Sequence, residues 1–190
     1  MRFTTWNVNS LRVRLEHLGR WLADNAVDAI ALQELKLADE HFPRAEIEAL
    51  GLQAACYGQK TYTGVAILAR SPLVDVENGM PSDPDPQRRV IAATIGSVRL
   101  VNVYVPNGQA LESEKYTYKL AWLERLRAYL ASLLAAHPAR PGGRRFQHRA
   151  GGSRRARSRS LGGFGARECA RTRGAREDHG ARLHGPLSPL

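Results

Sequence analysis

The first 36 residues constrain the fold most, because their pattern changes from strand to helix and back to strand. Residues 3–6 alternate apolar and polar side chains, and Ser10 stands where a helix cap would stand. The helix that follows has one apolar face, made of Leu11, Leu15, Leu18 and Leu22. The apolar run at residues 29–32 predicts a second strand.

Two polar residues follow these predicted strands, Asn7 after the first and Glu34 after the second. A strand–helix–strand crossover makes the strands parallel, so their carboxyl ends share one edge of the sheet, where sites in α/β folds usually lie. By composition alone, a single carboxylate at a strand end is an ordinary exposed side chain. The local pattern therefore brings Asn7 and Glu34 together and leaves their role open.

The chain up to residue 140 has the mixed pattern of an α/β domain. We expect strands at 53–57 and 62–70, a turn-rich loop at 79–87, and helices at 39–50 and 113–138. A hairpin is predicted from runs 90–95 and 98–105, joined by Gly96–Ser97. In the long helix, the leucine stripe Leu120, Leu123, Leu126, Leu130 and Leu133 or Leu134 is interpreted as core.

Three motifs, TWNVNSLR at 5–12, LQELK at 32–36 and VNVYVPNG at 101–108, together resemble the exodeoxyribonuclease III family of the endonuclease/exonuclease/phosphatase superfamily. The resemblance implies the N-terminal half of a two-sheet β-sandwich flanked by helices. It also implies a Mg²⁺-dependent DNA repair phosphodiesterase, with Mn²⁺ as an alternative ion, that acts as 3′-to-5′ exonuclease and abasic-site endonuclease. The partner would be double-stranded DNA with abasic sites or 3′ ends.

The same resemblance assigns roles to three residues. Glu34 would be the carboxylate ligand of the metal, which suits an ion that takes hard oxygen ligands and keeps positions for water and phosphate. Asn7 would be both a metal-site residue with Glu34 and a catalytic residue, lying beside the metal and the scissile phosphate. Tyr104 would be catalytic and would contact the substrate phosphate through its phenol, although taken alone it is an ordinary strand tyrosine. Asn102 and Asn107 are assigned turn and backbone roles.

Residues 141–190 differ sharply in composition from residues 1–140. They hold 12 Arg, 10 Gly and three acidic residues, so they carry nearly all of the net charge of +10. Such a segment buries too little apolar area to offset its chain entropy. We therefore expect a domain at 1–140 and a disordered basic tail at 141–190. Without an 18-residue apolar run or a signal-type N-terminus, we expect no membrane association and a cytoplasmic monomer.

The genetic code offers an explanation for the tail. Read one base later from Arg144 through Gly162, permitted codons spell Gly-Asp-Phe-Asn and the rest of the block that the family has next. A single-frame slip near codons 139–144 would put Arg145 at the slot of the family's catalytic Asp and Gln147 at that of its Asn. We then expect an inactive chain, with half of the sandwich missing, one sheet face bare and poor solubility.

Two other functions stay open from the sequence. The Arg-rich tail could bind nucleic acid non-specifically, through phosphate and with strong salt dependence. A phosphodiesterase of another branch of the superfamily, acting on phosphoinositides or sphingolipids, is the enzymatic alternative. The motifs at 5–12 and 101–108 favour the DNA-repair branch.

The frame-slip hypothesis predicts one missing or extra base between codons 135 and 150. Direct resequencing of the gene across this interval checks it. A one-base difference gives a longer protein with Gly-Asp-Phe-Asn in frame. If the resequenced gene agrees with the present sequence, a sequencing error is contradicted and the slip would lie in the gene itself.

Overall fold

The computed structural model describes residues 1–136 and the backbone of residues 145–151. The strands are β1 (Phe3–Asn7), β2 (Ala29–Gln33), β3 (Gln53–Tyr57), β4 (Val65–Ala69), β5 (Leu73–Asn78), β6 (Val90–Ile95), β7 (Val98–Tyr104) and β8 (Arg145–Gly151). The α-helices are α1 (Leu11–Asp24), α2 (Arg44–Ala49) and α3 (Glu114–Ala136), and a short 3₁₀ turn covers Asp39–His41. Within these residues, no helix is long and apolar enough to cross a membrane.

The strands form two four-stranded sheets, in the order β1-β2-β4-β3 and β5-β6-β7-β8. As the crossover pattern predicts, β1 and β2 are parallel, and Asn7 lies opposite Gln33. The predicted hairpin is also present, since β6 and β7 pair in antiparallel fashion on either side of Gly96, whose φ of 57° suits glycine. The carboxyl ends of β1 and β2 therefore meet at one edge, as expected.

A layer of small and branched side chains packs the two sheets face to face. It is built by Ala29, Ala55, Val65, Ile67, Ala69, Ile91, Ala93, Ile95 and Leu100, all buried. In this arrangement β2 and β4 both lie against β7. Sheet-on-sheet packing thus brings the second sheet to the carboxyl end of β2.

The outer faces of both sheets are covered by helices. Leu11, Leu18, Leu22 of α1 and Ile47 of α2 pack on the first sheet, and α3 packs on the second. The expectation of a bare sheet face is therefore wrong. The first 136 residues supply strands to both sheets and helices to both outer sides.

The buried face of α3 contains most of the predicted leucine stripe, together with two aromatic residues that the stripe did not include. Leu126 and Leu133 are buried, Leu123 and Leu130 are partly buried against them, and Trp122 and Tyr129 complete the face. Leu120 and Leu134 are 48% and 56% exposed. Apolar residues surround this helix, so spacing alone could not choose the face, and the large Trp122 decides it by filling the space over β6 and β7.

Several local predictions also need correction. The helix expected at 39–50 is a 3₁₀ turn followed, after Pro43, by the short α2. Ser10 precedes α1 but makes no side-chain capping bond. The strand β5 was not predicted, because its exposed alternation of polar residues resembles a loop.

Residues 145–151 form β8, parallel to β7, within the segment expected to be a disordered tail. Strand pairing uses backbone groups, so the edge of β7 can pair with a sequence that has no strand periodicity of its own. The remaining tail residues lie outside the described part of the chain. The division at residue 140 and the frame slip stay predictions.

Trp122→Ala is expected to lower the free energy of unfolding by about 3–5 kcal/mol, because it leaves a cavity under α3. Leu120→Ala in the same helix is the matched control and is expected to change it by about 0.5 kcal/mol or less. Urea denaturation followed by circular dichroism measures both. Equal losses in the two variants would contradict the assignment of the buried face.

Candidate functional site

Asn7, Glu34 and Tyr104 meet at the carboxyl ends of β1, β2 and β7. The Asn7 side-chain amide donates a hydrogen bond to Glu34 Oε1, with Nδ2 and Oε1 2.8 Å apart. The Tyr104 hydroxyl donates to the same oxygen at 2.7 Å. The contact between Tyr104 and Glu34 joins the two sheets, and it places all three predicted residues in one hydrogen-bonded group.

The backbone around Glu34 is held in an unusual conformation. Its φ is 57°, in the left-handed region that side-chain-bearing residues seldom adopt. Two neighbouring loops hold it there, because the Ser10 N–H donates to the Glu34 carbonyl at 2.8 Å and the Leu35 N–H donates to the Gly64 carbonyl at 3.2 Å. Such strain persists only where surrounding bonds fix it, and it clusters at functional sites.

Gly64, which opens β4 beside β2, allows this close approach of the loops. Its φ is 96°, and a Cβ at this position would lie 3.1 Å from the Leu35 Cβ. A larger residue would therefore push the Glu34 loop away. The contact with Leu35 therefore gives a steric reason for glycine at the start of β4.

The two oxygens of Glu34 have different surroundings. Oε1 accepts from Asn7 and Tyr104, whereas Oε2 lies 3.8 Å from Lys36 Nζ. The Lys36 ammonium also donates to Asn9 Oδ1. The Glu34 side chain is 19% exposed, so it is partly reachable from solvent.

Tyr104 is held between Glu34 and Arg89. Burial first, and then the hydrogen bond and charge of Glu34, raise the pKa of Tyr104 to about 12. The Arg89 guanidinium carbon lies 4.8 Å from the centre of the phenol ring and opposes this shift. The phenol therefore stays protonated at neutral pH and remains a hydrogen-bond donor.

The donor set suits one hard divalent cation. In the described part of the chain, no three His, Cys, Asp or Glu side chains gather as a metal cage. Magnesium, however, typically takes only one or two carboxylates from the protein and keeps waters or phosphate oxygens. Glu34 Oε2 and the side-chain oxygen Asn7 Oδ1 are oxygen atoms of the kind that such a cation binds. Asn7 Oδ1 accepts a hydrogen bond from the Asn9 N–H at 3.1 Å.

A buried amide pair lies beneath the site and was missed in the sequence. Gln33 ends β2 and Asn102 lies in β7, and both are fully buried. Gln33 Nε2 donates to Asn102 Oδ1 at 2.6 Å, across the two sheets. Asn102 contacts backbone as expected, because it donates to the Leu32 carbonyl, but it does so from within a strand. Asn107 accepts a hydrogen bond from the Gln109 N–H. Lys36 and Arg89 were also missed: Lys36 is the last residue of the motif at 32–36, and Arg89 immediately precedes β6.

The two residues assigned to displaced slots lie away from this group. In the register of the parallel pair, Arg145 is opposite Val98, Gln147 opposite Leu100 and Gly151 opposite Tyr104. Because β8 runs in the direction of β7, its first residue lies about 20 Å along the strand from Tyr104. Arg145 and Gln147 thus lie along the first half of β8, before the strand end that pairs with Tyr104.

The comparison with known proteins identifies the family. The model described as "Endonuclease/Exonuclease/phosphatase family" matches residues 4–162. This chain belongs to that family. Exodeoxyribonuclease III of Haemophilus influenzae is 35% identical over 136 residues, which are 68% of this chain and 51% of that protein. The resemblance to the N-terminal part of the exodeoxyribonuclease III family is thereby confirmed.

Solved structures of the family show the same architecture. The 3′ phosphatase NExo from Neisseria, bound to a product DNA hairpin, is 50% identical with a TM-score of 0.70 and covers 72% of this chain and 54% of its own. An AP endonuclease from Archaeoglobus fulgidus is 36% identical with a TM-score of 0.68, over 78% of this chain and 56% of its own. The chain spans about half the length of these relatives.

Glu34→Gln is expected to lower the pKa of Tyr104 from about 12, because it removes the charge and the carboxylate acceptor. The pKa stays above its ordinary value of about 10, because burial, the largest cause, remains. Since folding raises this pKa, the phenol's contribution to stability is fully present below about pH 10 and is lost as the pH rises through 12.

Tyrosinate absorbance measures this shift. The titration of each protein is taken as the difference from its own Tyr104→Phe variant, and the exposed Glu48→Gln serves as control. An unchanged Tyr104 pKa in Glu34→Gln would contradict the hydrogen-bonded arrangement.

Proposed function

We propose that this chain carries the cation-binding and phosphate-binding half of the site of a divalent-metal-dependent DNA phosphodiesterase. The observation that supports this most is the asymmetry of the Glu34 carboxylate. One oxygen is fixed by two neutral donors, while the other lies 3.8 Å from Lys36 Nζ and the side chain as a whole stays 19% exposed. A carboxylate held in this way has a fixed orientation in which Oε2 is not used by the two neutral donors.

The proposed ligands are Glu34 Oε2 and Asn7 Oδ1. Mg²⁺ is the first candidate and Mn²⁺ the alternative, since both accept carboxylate and amide oxygens. When bound, the cation would supply Lewis-acid stabilisation of charge on a phosphoryl oxygen. Lys36 Nζ, 3.8 Å from Oε2, would have to move aside or pair with the substrate phosphate.

The protein's own residues would bind and orient the phosphodiester. Tyr104 keeps its proton at neutral pH and can turn its hydroxyl from Glu34 to a phosphate oxygen. Arg89 lies over the ring, with its guanidinium carbon 4.8 Å from the ring centre, and it also donates to the Tyr104 backbone carbonyl at 3.3 Å. Lys36 adds a positive charge at the place where an anionic backbone would approach.

The relatives support DNA as the substrate. Those named above are an exodeoxyribonuclease, a 3′ phosphatase bound to a DNA hairpin and an AP endonuclease. We therefore propose double-stranded DNA with 3′ ends or abasic sites for the intact enzyme. The monomeric state and the cytoplasmic location stay predictions from the sequence.

The chain as written is proposed to bind the cation without cleaving DNA. The resemblance assigns activation of the attacking water to the slots now held by Arg145 and Gln147, neither of which has a carboxylate. General acid–base catalysis is typically worth ~10²–10⁴-fold. A chain that lacks this contribution, and about half of the relatives' length, would retain the binding half of the chemistry.

The tail gives a second candidate, non-specific nucleic-acid binding. Residues 141–190 hold 12 Arg and no Lys, and such binding weakens steeply with salt. Affinity for duplex DNA that is lost above about 0.2 M salt would assign binding to this charge. Affinity that persists at that salt concentration and depends on Tyr104 would assign it to the site.

Glu34→Gln is expected to weaken Mn²⁺ binding at least ~10-fold, because it removes the charged ligand. Electron paramagnetic resonance of free Mn²⁺ measures the affinity, and Glu48→Gln on α2 is the matched control. A gel assay of an abasic-site duplex with Mg²⁺ is expected to show no cleavage by the wild-type chain. Equal Mn²⁺ affinity in both variants would overturn the proposed site, and robust cleavage would overturn the proposed inactivity.

A further inference from the structure

Two fully buried amides cross the interior between the sheets directly behind the site. Gln33 Nε2 donates to Asn102 Oδ1 at 2.6 Å and to Thr5 Oγ1 at 2.9 Å. Asn102 Nδ2 donates to the Leu32 and Ala66 carbonyls at 2.8 and 2.9 Å. We call Gln33 and Asn102 the amide pair. Together they join three strands of the first sheet, β1, β2 and β4, to β7 of the second.

The orientation of both amides is fixed by this network. The Asn102 amide nitrogen faces two backbone carbonyls, which can only accept, so its oxygen must point towards Gln33. Gln33 must then present its nitrogen to that oxygen, since two carbonyl oxygens cannot share a hydrogen bond. The amide pair therefore has one arrangement, and that arrangement sets the separation of β2 and β7.

The amide pair and the site lie on the same two chain segments. Gln33 precedes Glu34, and Asn102 lies two residues before Tyr104. Because strand side chains alternate, Asn102 and Tyr104 point to the same face of β7. The amide pair links β2 to β7. The 2.7 Å hydrogen bond from the Tyr104 hydroxyl to Glu34 Oε1 links the ends of the same two segments, next to the amide pair.

We propose that the amide pair is a positioning device for the site, holding β2 and β7 so that Glu34 Oε1 stays on Tyr104 and Glu34 Oε2 faces outward. The part of the proposal that concerns the cation rests on the proposed function. The part that concerns the contact between Glu34 and Tyr104 does not.

The amide pair is poorly explained as a device for stability alone. Gln33 Oε1 is buried and has no hydrogen-bond partner among the described residues. A buried unpaired acceptor is destabilising, whereas two apolar side chains of the same shape would be nearly neutral or better. Apolar side chains would not, however, supply a directional hydrogen bond between β2 and β7.

The test is a double substitution, Gln33→Met with Asn102→Leu, which keeps side-chain volume and removes the amides. The first measurement, without metal, is the nuclear Overhauser effect between the Tyr104 ring and the Glu34 side chain in tyrosine-labelled protein. We expect it to be lost while circular dichroism shows an intact fold. The second is Mn²⁺ affinity, which we expect to fall about 10–100-fold, as for other residues that orient a ligand.

Leu100→Ala is the matched control. Leu100 lies on the same face of β7, two residues before Asn102, and is buried in the layer between the sheets. Its truncation lowers stability, and we expect it to leave both the Tyr104–Glu34 signal and the Mn²⁺ affinity as in wild type. A control that loses both would show that any weakening between the sheets disturbs the site, and would overturn a special role for the amides.

The remaining outcomes are also decisive. A folded double variant that keeps the Tyr104–Glu34 signal overturns the proposal, whatever its Mn²⁺ affinity. If wild type binds no Mn²⁺, the proposed function fails, while the metal-free signal still decides the role of the amides. If the double variant does not fold, the single substitution Gln33→Met is used instead, because it leaves the hydrogen bonds of Asn102 to the backbone in place. The same loss of the Tyr104–Glu34 nuclear Overhauser effect is then expected, and its persistence overturns the proposal.

Discussion

The packing of one sheet on the other is the constraint on which the rest of this structure depends. Small side chains such as Ala29, Ala69 and Ala93 let the two sheets approach, and branched ones such as Ile67 and Ile91 fill the layer between them. This packing places β7 against β2, so that Tyr104 reaches Glu34 although 70 residues separate them in the chain. Without it, the group would lack Tyr104 and consist of Asn7 and Glu34 alone.

The site itself is organised by the distribution of hydrogen-bond donors around one carboxylate. Asn7 and Tyr104 both donate to Oε1, which restricts the carboxylate and leaves Oε2 near Lys36. The left-handed backbone of Glu34 and the missing side chain of Gly64 make this orientation possible. The Glu34 side chain is 19% exposed, so a ligand can approach it from solvent.

Most of the layered architecture could be predicted from local pattern. The parallel pair β1–β2, the hairpin β6–β7 and the buried face of α1 follow from periodicity and turn residues. The leucines of α3 that pack on the sheet were largely predictable, but the burial of Trp122 was not, because apolar residues surround that helix and the shape of the sheet selects it. The strand β8 could not be predicted either, since pairing at the edge of β7 uses backbone and ignores side-chain period.

The sequence by itself determined the family, through three short motifs, and it determined the edge at which Asn7 and Glu34 meet, since a crossover connection fixes the direction of its strands. Only the tertiary structure decided that Tyr104 shares an oxygen of Glu34 with Asn7, and that Gln33 and Asn102 link the strands behind them. These contacts cross between sheets, and their geometry depends on packing distance, which no local pattern in the chain encodes.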